Sequence, residues 1–162
     1  MKSRYYEEVN HFLVKIFNDV LKIEEQHIQN LEYSNLSLRE IHILETIGGA
    51  EESSGKTKNM IGNSATSIAN ALYVTPGTLT TAITLLVKKG FVYREKDEKD
   101  RRVIRIYLTE LGRSAMDKHI EFHKKMTGEI ISVLSEDEIS VLCRSLEKLR
   151  EFFNNKYFEK KP

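Results

Sequence analysis

A chain of 162 residues with 40% hydrophobic and 30% charged residues, eight glycines, two prolines and one cysteine has the make-up of one folded domain, which excludes disordered and collagen-like classes. At this length about 68–70% of the unfolded surface is buried on folding, so no disulfide or metal staple is required, and Cys143 alone cannot close an internal disulfide. The formal charge is +1, from 25 Lys and Arg against 24 Asp and Glu, so only the distribution of charge can point to a partner. No stretch nears the roughly 20 apolar residues of a membrane span. Residues Met1 to Glu8 lack the apolar run of a secretory signal, and a single cysteine suits a reducing compartment, so a cytoplasmic protein with no membrane partner is expected.

With prolines only at 76 and 162, most of the chain is free to be helical. Val9, Phe12, Leu13, Ile16, Phe17, Val20, Leu21 and Ile23 recur at intervals of three and four, predicting a long amphipathic helix from Tyr6 to about residue 32. Ser37-Leu38-Arg39-Glu40 is a capping box that opens a second helix, in which Ile41, Leu44 and Ile47 face one way until Gly48-Gly49 is expected to end it. The small, polar stretch from Gly49 to Asn63 reads as a loop. Ser64 then caps a short helix to Leu72, and Thr75 caps another that begins at Pro76, a residue suited to the first helical position because its missing N–H would be unpaired there anyway. Tyr73-Val74 between them has the length of a helix-turn-helix connection. After Gly90 the period changes to that of strands, over 91–94 and 103–108, with the polar run 96–102 as a hairpin tip. Thr109 caps a long helix to about residue 133, and Ser135-Glu136-Asp137-Glu138 is a second capping box that opens a last helix to about Asn155. The fold class expected is mainly α with a small β-hairpin wing, a winged helix-turn-helix.

On the helix that starts at Pro76, Leu79, Ile83 and Leu86 form an inward stripe at about 100° per residue. Gly77, Thr81, Thr84 and Lys88 fall on the opposite side, with Thr78 and Thr80 on its flanks, so the outward face is short, neutral and rich in hydroxyls. Such a face fits a DNA major groove, where Thr hydroxyls meet base edges or phosphates and Thr methyls meet thymine methyls. From Thr75 to Arg105 eight basic residues stand against four acidic ones, a balance of +4 that leaves −3 for the rest of the chain. Positive charge gathered on one winged segment of a near-neutral protein is the footprint of a DNA-binding face. The expected DNA contacts are therefore Thr75, Gly77, Thr78, Thr80, Thr81, Thr84 and Lys88 on the helix, with Lys96, Lys99 and Arg101 adding backbone contacts from the wing.

Asp100-Arg101-Arg102-Val103-Ile104-Arg105-Ile106-Tyr107-Leu108-Thr109-Glu110-Leu111-Gly112 resembles the wing signature of MarR-family transcriptional regulators, and the order of elements is similar over nearly the whole chain. The resemblance implies a homodimer built by the terminal helices of residues 1–35 and 110–162. It also implies that the winged region 37–109 of each subunit meets one half of a pseudo-palindromic operator. Carried over, Arg102 enters the minor groove and Asp100 braces its guanidinium; narrow A·T-rich grooves favour such an inserted Arg. Within the family, Phe17-Asn18-Asp19-Val20-Leu21, Leu36-Ser37-Leu38-Arg39-Glu40-Ile41-His42, Thr75-Pro76-Gly77-Thr78-Leu79-Thr80-Thr81 and Phe122-His123-Lys124-Lys125-Met126 look like the FabT-like repressors of fatty-acid biosynthesis. That branch implies a long-chain acyl-ACP corepressor and no resident cofactor or metal. An acyl chain needs an apolar channel, and the expected lining lies between the first, second and fifth helices: Phe12, Ile16, Phe17, Val20, Ile41, Leu44 and Phe122.

Two rival chemistries have residues to support them. His119 and His123 are four apart and share a helix face. Zinc-sensing members of the same superfamily use such a pair with a His on the second helix, here His42, and a Glu near the end of the first, here Glu24 or Glu25. Cys143 invites a redox-sensing reading, but it follows Val141-Leu142 in the last helix and is expected to be a buried small hydrophobe. Enzymatic chemistry has no such support: there is no Gly-rich phosphate loop, no nucleophile elbow and no carboxylate pair with a supporting base.

Overall fold

The computed structural model describes residues 5–30, 35–53 and 62–158. Among the described residues six α-helices and a two-stranded hairpin follow one another as α1 (Tyr6–Gln29), α2 (Leu38–Ser53), α3 (Ala65–Ala71), α4 (Pro76–Lys88), β1 (Val92–Lys96), β2 (Ile104–Leu108), α5 (Glu110–Ser132) and α6 (Glu136–Phe153), followed by a π-helical turn over Asn154–Phe158. Local chemistry accounts for the starts. Ser64, Thr75, Thr109 and Ser135 each accept a hydrogen bond from the backbone N–H three residues on, and Ser135 forms a full capping box with Glu138. Gly90, at φ +81°, ends α4 in the left-handed conformation that costs glycine least.

The core gathers beneath the winged region, from Ile41, Leu44 and Ile47 of α2, Ile68 of α3, Leu79, Ile83 and Leu86 of α4, Phe91, and Ile106 of β2. The strands pair antiparallel, with Val92 opposite Leu108 and Lys96 opposite Ile104. Among the described residues α6 buries nothing, and α1 buries only Glu24 and Ile28. Their apolar side chains, among them Phe12, Ile16, Phe17, Leu146 and Phe152, stand exposed.

Two expectations are corrected here. The helix expected to stop at Gly48-Gly49 continues to Ser53, so residues 49–53 of the expected loop are helical; residues 54–61 of that loop lie outside the described residues, as do 31 and 32 at the end of the predicted first helix. The glycine is there for packing: a Cβ on Gly48 would stand 2.2 Å from Met116 Sδ, so its absence lets α2 lie close against α5. Glu51 on the added turn then accepts a hydrogen bond from the Leu108 N–H at 2.6 Å and pairs with Arg113. Cys143 is exposed rather than buried, because α6 buries none of its residues within the described chain.

The α2 start is also tied to the far end of α4. Glu40 accepts from the Ser37 N–H at 2.8 Å and from Lys89 Nζ at 2.7 Å, while Lys89 also donates to the Asn35 carbonyl at 2.6 Å. Burial works to raise the Glu40 carboxyl, but the Lys89 and Ser37 donors outweigh it and hold it below its ordinary value of 4.5. A carboxylate depressed in the folded state adds stability above its unfolded pKa and loses it as pH falls through the folded one. Replacing Glu40 by Gln is therefore expected to cost about 2–3 kcal/mol at pH 7. In thermal melts taken across pH, the gap between wild type and variant should shrink as pH drops below 4.5. A gap that stayed constant from pH 7 to pH 3 would contradict this assignment.

Candidate nucleic-acid interface and histidine cluster

Helix α4 buries Leu79, Ile83 and Leu86 and exposes Thr75, Gly77, Thr78, Thr80, Thr81, Thr84 and Lys88, the division expected from its period. The turn before it bends sharply, with Tyr73 at φ +52°, a conformation strained for a residue of this size. Four of the five threonine hydroxyl protons on this face are engaged within the helix. Thr80 donates to the Pro76 carbonyl at 2.8 Å, Thr81 to that of Gly77 at 3.2 Å and Thr84 to that of Thr80 at 2.8 Å, while Thr75 and Thr78 pair with one another at 2.8 Å. Thr84 also accepts from the Arg94 guanidinium at 2.8 Å, which braces the helix against β1. What the threonines turn outward is therefore mainly methyl groups and oxygen lone pairs, with one hydroxyl proton of the Thr75–Thr78 pair left over. A Cβ on Gly77 would meet nothing within 4 Å, so the first turn is open to close approach.

The wing is organised by Asp97. Its carboxylate accepts the Lys99 and Asp100 N–H groups, both at 2.9 Å, and pairs with Arg105, which also reaches Asn63 Oδ1 at 2.9 Å. The backbone bond from Asp100, ahead of the Arg105 contact, holds the Asp97 carboxyl below its usual range. At the tip, Asp100 grips Arg102 through two parallel bonds of 3.0 and 3.1 Å and accepts the Arg102 N–H at 3.1 Å, which depresses the Asp100 carboxyl. The Arg102 side chain is 90% exposed and aimed off the protein, with Lys96, Lys99 and Arg101 exposed around it. Arg94, Asp97, Arg105 and the buried Asn63 escaped sequence reasoning as parts of this face. The i+2 and i+3 spacing of Asp97 to Lys99 and Asp100 is a turn signal that could have marked one of them.

The seven residues expected to line an acyl channel are not brought together. Ile41 and Leu44 are completely buried in the core and have no side-chain surface left for a ligand, whereas Phe12, Ile16 and Phe17 are more than half exposed on α1. Val20 is half-buried, and Phe122 is half-buried and stacked on His27 with ring centres 4.1 Å apart. Two clefts lie near these helices. One of about 410 Å³ is lined by Tyr5, Tyr6, Val9, Asn10 and Leu13, the other, of about 450 Å³, by Glu45, Ile120, His123, Lys124, Thr127, Gly128 and Ile131, and neither includes any of the seven.

The histidines do converge. Glu24 from α1, His42 from α2, and His119 and His123 from α5 each offer a donor atom, and these atoms all lie within 4.8 Å of one another. Glu24 is buried and its Oε1 lies 3.3 Å from His123 Nε2, whereas Glu25 is exposed, which decides between the two acids. Burial is the largest influence on His42 and holds it below the ordinary imidazole value, so its ring is neutral and free to offer a lone pair near pH 7. Three imidazoles and one carboxylate are a donor set suited to a tetrahedral divalent cation such as zinc.

A helix-turn-helix carrying a braced hairpin wing defines a winged helix-turn-helix protein. The chain matches the MarR family over residues 36–104. Its structure is similar to that of Streptococcus pneumoniae FabT in complex with DNA, with a TM-score of 0.81 and 35% identity over 93% of this chain and 98% of that one. The fold is shared with the S. aureus MepR–DNA complex, at 21% identity and a TM-score of 0.70, covering 90% of this chain and 97% of that one. Among curated proteins it is 35% identical over 81 residues to the regulator YkoM of Bacillus subtilis, covering 50% of this chain and 53% of YkoM. It is 32% identical over 92 residues to the regulator PecS of Dickeya dadantii, covering 57% of this chain and 55% of PecS. The chain thus spans about half the length of the curated relatives it matches. This protein belongs to the MarR family, and its fold and relatives are those of transcriptional regulators, not enzymes.

Proposed function

We propose that this chain is a DNA-binding transcriptional repressor of the MarR type, acting as a homodimer on a pseudo-palindromic operator. The observation that carries the reading is the pairing of an open, acid-free α4 face with an outward Arg102 held in two-pronged contact by Asp100. The apolar residues left exposed on α1, α5 and α6 support residues 1–35 and 110–162 as the dimer-forming parts and 37–109 as the DNA-binding region. Two copies would set their α4 helices about 34–36 Å apart, in successive major grooves. With most of its hydroxyl protons engaged, α4 would read mainly through methyl contacts and lone pairs and so prefer thymine-rich half-sites. Replacing the thymines under α4 by uracil in an operator selected from random duplexes is expected to weaken binding about fourfold per methyl lost, from about 0.8 kcal/mol per buried methyl. Fluorescence anisotropy checks this, and equal affinity for the two duplexes would discard the methyl contacts.

The regulated genes are proposed to be those of fatty-acid biosynthesis, with long-chain acyl-ACP as corepressor. The likeness to FabT along nearly the whole chain supports this. The corepressor would act by favouring the dimer spacing that fits DNA, to the extent of its differential affinity for the two spacings. Anisotropy on a fatty-acid synthesis promoter, at two salt concentrations and with or without acyl-ACP, tests both levels. Binding that weakens with salt and tightens with acyl-ACP is expected. Salt-sensitive binding that ignores acyl-ACP would retain the regulator and remove the corepressor.

The convergence of Glu24, His42, His119 and His123 favours a second reading of the effector, a divalent cation. A cation held there would tie α1 to α2 and α5, the elements that join the dimer-forming parts to the winged region. Protein purified without chelator is then expected to carry one zinc per chain and His42→Ala to carry none. Zinc far below stoichiometry in the wild type, both as purified and after zinc is supplied, would end this reading.

A further inference from the structure

His119 is completely buried, and its two ring nitrogens have unlike surroundings. Nδ1 lies 2.8 Å from Glu45 Oε1, a carboxylate on α2 that borders the 450 Å³ cleft. Nε2 is buried with no hydrogen-bond partner. A buried polar atom left unpaired costs about 1–3 kcal/mol, so such an atom in a native fold calls for an occupant. The Glu45 carboxylate can only accept, so the proton of a neutral His119 sits on Nδ1 and the lone pair on Nε2. That orphaned lone pair belongs to one of the four residues whose donor atoms converge. A carboxylate that holds the far nitrogen of a metal-binding imidazole fixes its tautomer and ring orientation and raises its basicity.

We infer that Glu45 is the positioning residue of a divalent-cation site formed by Glu24, His42, His119 and His123, fixing the His119 tautomer so that Nε2 faces the ion. Glu45 is not itself one of the four converging donors, and its side chain keeps 27% of its surface in the cleft. Its place on α2, three residues from His42, lets one helix supply both a ligand and the group that orients another.

The inference rests on the cation reading above, and the test separates the two. Zinc affinity of the full chain is measured by competition with a chromogenic chelator, and cobalt(II) absorption reports the ligand field, for wild type, Glu45→Ala and Glu45→Gln. Thermal melts of the three metal-free proteins control for folding. The expected result is tight binding of one ion by wild type, a loss of about 10–100-fold in Glu45→Ala, and partial rescue in Glu45→Gln, whose amide oxygen still accepts from Nδ1–H but carries no charge. A cobalt spectrum altered in Glu45→Ala and restored towards wild type in Glu45→Gln is the signature that a purely structural role would not produce. Wild-type binding with both variants unchanged would overturn the role of Glu45 and leave the cation site standing. Failure of wild type to bind zinc or cobalt would overturn both.

Discussion

Gly112→Ala is expected to destabilise the protein by about 3 kcal/mol or more. A Cβ at this position would stand 2.0 Å from the Phe91 carbonyl oxygen and 3.1 Å from its carbon, and a backbone carbonyl has no rotamer by which to withdraw. The contact is part of a dense joint. Thr109 donates its N–H to the Phe91 carbonyl at 3.1 Å and its hydroxyl to that of Gly90 at 2.7 Å, and accepts the Gly112 N–H at 3.1 Å. Any shift that makes room for a methyl breaks these bonds and lifts the start of α5 from the end of α4. For a chain of this size the loss corresponds to a drop in Tm of about 6–12 °C. Gly48→Ala is the matched control: its Cβ would meet the flexible Met116 side chain, which can yield, and about 1 kcal/mol is expected. Circular-dichroism melts compare them, and a Gly112→Ala protein melting with wild type would remove the close approach from the account of this fold.

Arg102→Ala is expected to lower operator affinity about 10–100-fold, the value of a well-placed Arg contact at about 1–3 kcal/mol. Its side chain is 90% exposed and touches Asp100, so the folded protein should lose almost nothing and the effect should fall on DNA binding alone. Lys99→Ala, which removes an exposed charge proposed to contact the DNA backbone, is expected to weaken binding only a few-fold and to lower the salt slope by about 1. Asp100→Ala should lie between them, since it frees the guanidinium from its brace without deleting it. Anisotropy titrations at several salt concentrations compare all three. Equal losses for Arg102→Ala and Lys99→Ala would refute the separate roles assigned to them.

The parts of this protein legible along the chain are those set by neighbours in sequence. A Ser or Thr hydroxyl capping a helix reaches only three residues, and an inward stripe such as Leu79, Ile83 and Leu86 repeats within two turns, so helix starts and the outward face of α4 followed from local spacing. The wing pair of Asp100 and Arg102, two residues apart, came instead from the resemblance to the MarR-family wing signature. Tertiary contact governed the rest. Gly48-Gly49 looks like a stop signal until α5 arrives to fill the space that Gly48 leaves and Arg113 and the Leu108 N–H arrive to hold Glu51, so packing overrides propensity and α2 gains a turn. Apolar residues can mark a core, a ligand channel or a subunit contact with the same periodicity. Only packing separated Ile41 and Leu44, sealed in the core, from Phe12, Ile16 and Phe17, left on the surface. The pairing of His119 with His123 could be read from a spacing of four, but the choice of Glu24 over Glu25, and Glu45 as the partner of His119, depended on three helices meeting across separations of 74 residues and more. Side-chain spacing along one helix is a local property, whereas the direction in which a lone pair points across a core is decided by how the helices pack.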